Sequence, residues 1–175
     1  MTSSPKHIIV ALTVLLLALC SCGSKTVNHA KPSLPQLQDQ LAKDSVALLD
    51  LQNRYQERLG ADFRWCDSML QFVPETEIER YFETLDLAQA YLSQFNELLP
   101  VMQRDLSYTR TQLANLQNDL DTHYLSDSLF QVYLKDETAV ADTLHHRILY
   151  FQDRLSHQDQ ELQTLKKNIR KVASR

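Results

Sequence analysis

Three aspartate–histidine pairs stand four residues apart: Asp119 and His123, Asp142 and His146, Asp153 and His157, with His145 beside the second pair. On a helix that spacing puts both side chains on one face, so each pair could offer a metal ion two ligands. A zinc centre needs three or four convergent ligands held by a supporting shell. The pairs fall on separate turns and no HExxH pattern occurs. They read instead as solvent-exposed ion pairs, each worth about 0.3 kcal/mol. The other carboxylates are interleaved with Gln, Asn, Arg and Lys, an arrangement expected on outer helix faces rather than in an apolar setting that tunes a pKa. No metal, cofactor, catalytic residue or small-molecule substrate is expected.

The chain has only two glycines, Gly23 and Gly60. Phosphate-cradling loops, nucleophile elbows and tight hairpins need glycine at special backbone angles, so most nucleotide-binding and hydrolase motifs are excluded. The C-terminal KKNIRKVASR carries five basic residues and no acid. Lys166, Lys167, Arg170, Lys171 and Arg175 could form a patch for an anionic partner, or could simply complement a helix dipole.

The elements that position these residues are written in heptads. Ile78, Tyr81, Leu85, Ala88, Leu92, Phe95, Leu99, Met102, Leu106, Thr109, Leu113, Leu116 and Leu120 alternate spacings of three and four. A second frame runs from Ala141 through Leu144, Ile148, Phe151, Leu155, Gln158, Leu162 and Leu165 to Val172, and a shorter one from Leu34 to Tyr55. Such repeats predict supercoiled helices packed along a seam. Ser33-Leu34-Pro35-Gln36 and Thr76-Glu77-Ile78-Glu79 read as capping boxes, Gly60 as a left-handed residue closing a helix, and Tyr124 to Ser128 as a reversal.

The expected fold is all-α: an elongated antiparallel bundle of three long segments, up-down-up, over about 33–73, 76–123 and 128–173. Breaks are expected near Gly60 and Pro100, with Pro100 a kink because the frame passes through it; a true break there would give four helices. Counting the helical rise places the two breaks side by side, with Phe63, Trp65, Phe95 and Phe151 as an aromatic layer between them.

Upstream, MTSSPKH precedes an apolar run from Ile8 to Leu19, too short to span a membrane and suited to a secretory signal. Leu19-Cys20-Ser21-Cys22 resembles the lipobox of bacterial lipoproteins. The resemblance covers residues 1–22 and implies cleavage before Cys22 and acylation of its thiol; with Cys20 as acceptor, bulky Leu19 would stand at the cut. Residues 1–21 are then a removed signal, 22–32 a flexible tether, and 33–175 the helical domain. Without Lys6, 17 basic residues face 22 acidic ones, a net charge of −5 that gives no argument for nucleic acid. Gly23 and Ser24 put no Asp immediately after Cys22, so the resemblance implies the outer membrane, facing the periplasm. Cys66 becomes the only remaining thiol and is expected buried and inert, or else an intermolecular crosslink.

The reading that follows is a lipid-anchored, non-enzymatic scaffold or spacer that meets a protein partner or a second copy through its helices. Two alternatives are a peptidoglycan-tethering lipoprotein and a small apolar-ligand carrier. The first is similar in plan to the murein lipoprotein, whose terminal Lys is joined to the wall. This chain departs from that pattern, with Lys171 four residues before Arg175.

Overall fold

A computed structural model describes residues 33–173. The signal segment, the tether, Cys20, Cys22 and Arg175 lie outside the described residues. Helix α1 spans Leu34–Leu51 and continues through one turn of π-helix, Gln52–Gln56, into α2, Arg58–Met69. A 3-10 turn, Leu70–Phe72, leads to α3, Glu75–Asp121, and then to α4, Asp127–Ala173. Among the described residues there is no strand, and no helix is long and apolar enough to cross a membrane.

The topology is up-down-up. Contacts between the first arm and α4 keep a constant offset of 101 residues: Asp44 with His145, Arg58 with Asp159, Asp62 with Gln163. A constant offset means the two run parallel. Helix α3 returns antiparallel between them, and α3 and α4, 47 residues each, reach about 70 Å. All three arms contribute to one core, with Leu41, Leu59, Leu85, Met102, Leu113, Leu144, Leu155 and Leu162 at most 2% exposed.

The all-α bundle is therefore present, but its irregularities differ from expectation. Gly60 is not a helix cap. It lies buried inside α2 with no positive φ. The break comes earlier, where the apolar spacing changes: Leu51, Tyr55 and Leu59 are all buried and are separated by four and four. At about 100° per residue, two successive steps of four rotate a regular helix off its seam. One wide π turn absorbs the extra residue and restores the seam for Cys66 and Leu70. A Cβ added to Gly60 would meet Arg64 Nη1 at 3.5 Å and Leu92 Cδ2 at 3.7 Å, ordinary contacts. Gly60→Ala is thus expected to stabilise the bundle by about 0.8 kcal/mol, because alanine loses less backbone freedom. A lowered denaturation midpoint would contradict the helical placement.

Helix α3 runs unbroken through Pro100, so the four-helix alternative fails. The box at Thr76 also fails. The helix starts two residues sooner, with Pro74 as N-cap and Glu75 and Glu77 in the first turn, where the dipole favours acids. At Ser33 the box is present: Gln36 Oε1 accepts the Ser33 backbone N–H at 2.8 Å. The reversal between α3 and α4 uses no glycine. His123 takes the left-handed position (φ 55°), with its N–H on Leu120 O and the Tyr124 N–H on Asp119 O, 3.1 and 2.9 Å. These two bonds make a Schellman closure. Ser126 then caps α4, its Oγ accepting the Leu129 N–H.

Candidate functional site

The three Asp–His pairs do not assemble a site. His123 has left the helix, so it does not share a helical face with Asp119. His146 Nδ1 donates to the backbone carbonyl of Asp142, 2.7 Å away, not to its carboxylate. His157 is exposed. Among the described residues no three His, Cys, Asp or Glu side chains converge.

The polar chemistry lies instead along the seam between the first arm and α4, contrary to the expectation that the carboxylates occupy outer faces. Asp44 is 3% exposed. Its Oδ1 accepts from His145 Nδ1 at 2.7 Å and from Gln40 Nε2 at 3.1 Å, while Oδ2 is buried without a partner. This pair ties the first arm to α4.

Five turns above Asp44, Asp62 occupies the same face of the first arm. It accepts from Lys166 Nζ and Gln163 Nε2. One turn below, Arg58 pairs with Asp159. Burial alone pushes the Asp62 carboxyl up, but the hydrogen bonds from Lys166 and Gln163, with the charges of Lys166 and Arg58, outweigh it and hold the net value below the ordinary aspartate range. A depressed carboxylate stabilises the fold above its unfolded value, and that stability is lost as pH falls through the folded value. Lys166→Met should therefore cost about 3 kcal/mol at pH 7, since it strands a buried carboxylate. The difference from wild type should begin to shrink below about pH 4, the unfolded carboxylate range, and should vanish only at the lower, depressed folded value where Asp62 itself is protonated. Denaturant titrations at the two pH values check this; a pH-independent difference would assign the loss to packing.

No protein-family model, curated protein or solved structure matches this chain. Its functional reading accordingly rests on its own geometry.

The sequence-derived aromatic layer is only half present. Phe95 and Phe151, both 0% exposed, meet edge to face at 5.3 Å between centroids. Phe63 packs partly buried against the core. Trp65 lies elsewhere, level with Lys166, fifteen residues and about 22 Å along α4 from Phe151. The height count failed because α1 does not begin level with the base of α4: the offset of 101 sets Ser33 beside Leu134. Trp65 is instead covered by cations, with Lys166 Nζ 5.5 Å and the Arg170 guanidinium 5.1 Å from its ring centroid.

The basic C-terminal patch is correspondingly narrower than its sequence. Lys166 is committed to Asp62 and Trp65, while Lys167 and Arg170 are exposed and Lys171 lies beside Glu77 and Arg80 at the start of α3. Cys66 is 0% exposed, and burial, then the charge of Asp62, pushes its thiol up to about 11. A thiol so protonated at neutral pH is a poor nucleophile.

Proposed function

We propose that this chain is a lipid-anchored, non-catalytic spacer of the bacterial envelope, held to the outer membrane through Cys22 and facing the periplasm. It keeps a protein partner at a distance set by its bundle. The observation that carries this reading is the pairing of two 47-residue helices along one filled seam, giving a body of about 70 Å. A closed core of this kind suits load and spacing. Its polar nodes tie helix to helix, as expected of a strut whose register must not slip. The Phe95–Phe151 contact fills the core at its own level, which favours a strut over an apolar-ligand carrier.

Metabolic labelling with palmitate tests the anchor: the wild type and Cys20→Ala should incorporate label, and Cys22→Ala should not. Label retained in Cys22→Ala and lost from Cys20→Ala would move the acceptor; label absent from the wild type would remove the anchor altogether. Crosslinking in intact envelopes should then capture a defined protein with the wild type, and lose it when the bundle is untethered by Cys22→Ala.

A further inference from the structure

A groove of about 320 Å³ runs between α3 and α4 near their reversal. Asn115 and Asp119 line one side, Tyr133 and Glu137 the other, with Tyr124 and Leu125 closing its end. Glu137 occupies a seam position, one heptad step from both Leu134 and Ala141. Its Oε2 is buried and accepts no hydrogen bond. Burial, then the neighbouring charge of Asp136, pushes its carboxyl up. Among the described residues lining the groove none is basic. Tyr124 is 80% and Tyr133 48% exposed, and Leu129, Val132 and Val140 continue an exposed apolar edge along α4.

Elsewhere the molecule covers comparable rings with its own cations. Arg154 lies over Tyr91 and Tyr150, and Lys166 and Arg170 over Trp65. At Tyr124, Tyr133 and Glu137 the rings and the counter-charge are present, and among the described residues no cation covers them. We propose that this groove docks an amphipathic, basic helix of a partner protein, placing a Lys or Arg side chain against Glu137. The alkyl stem lies on Leu125, the charge meets the carboxylate, and the phenol rings flank it, the arrangement in which a cation–ring contact adds to an ion pair. This deepens the spacer reading by giving the partner a chemistry. It is tested on the purified chain, so loss of the anchor and loss of docking are separately visible.

The probes are a labelled Leu/Lys amphipathic helical peptide, its Leu/Glu counterpart and n-butylammonium, followed by fluorescence anisotropy and by the ring resonances of Tyr124 and Tyr133. The Leu/Lys peptide should bind and move both sets of resonances, while the Leu/Glu peptide should do neither. Glu137→Gln should weaken binding about tenfold, the loss expected when one charged hydrogen bond is neutralised, whereas Glu97→Gln removes the same charge elsewhere and should leave it unchanged. Thermal melts confirm that Glu137→Gln stays folded. Equal binding by wild type and Glu137→Gln, no binding of the Leu/Lys peptide, or butylammonium binding as tightly as the peptide would each overturn the proposal.

Discussion

Leu155→Asp is expected to unfold the bundle at temperatures where the wild type is intact. Leu155 is 0% exposed on α4, among Phe151, Leu162 and the other seam residues. Truncating a leucine in such a place costs about 2–5 kcal/mol from lost burial and the space left behind. The introduced carboxyl adds the cost of an unpaired charge in an apolar site, or of protonating it. Together these approach the whole stability of a domain this size, about 5–15 kcal/mol. Leu113→Asp, at 1% exposure on α3, should behave alike. Gln160→Asp, on the exposed face of α4, should stay within about 0.5 kcal/mol. Circular dichroism melts separate the cases, and part of the Leu155→Asp loss should return at low pH as the carboxyl is neutralised. An unchanged melting temperature for either seam variant would mean that face is not the core.

The seam was legible in the sequence because a spacing of three and four is a one-dimensional record of a helix face. What stayed hidden were the charged residues standing on that same face. The first frame jumps seven residues from Leu41 to Leu48, and Asp44 fills the missing position. Asp62 lies between Leu59 and Cys66 in the same rhythm, and Glu137 between Leu134 and Ala141. Choosing positions by hydrophobicity passes over such residues, although the heptad count itself marks them as inward. Their partners, His145, Lys166 and Gln163, come from about a hundred residues away and leave no local trace. The π turn had a signal in the double spacing of four at Leu51, Tyr55 and Leu59. The left-handed His123 had little, since histidine adopts that conformation only occasionally and glycine is the usual marker. Trp65 misled because it lies one residue off the frame: it flanks the seam, where cations cover it.

The Phe95–Phe151 contact should be the second most sensitive point of the fold. Along α3, Phe95 stands between Leu92, which faces Gly60, and Gln103, whose amide donates to Gln52 at the start of the π turn. The rings therefore fill the core at the height where the first arm widens, five residues from Pro100. A wide turn opposite a proline leaves room that aliphatic side chains fill poorly. Two rings at 5.3 Å and 64° fill it and gain edge-to-face attraction, and Tyr150 adds a further edge at 5.2 Å from Phe151. Phe95→Ala and Phe151→Ala should each cost about 3–5 kcal/mol. The double variant should cost less than their sum by about 0.5–1.5 kcal/mol, because the ring–ring contact is lost only once. Denaturant unfolding of the four proteins closes this cycle. Additive losses would show that the rings are independent fillers. Single losses below about 1 kcal/mol would show that the core collapses around the vacated ring, and the widened turn would then be supported by something other than aromatic packing.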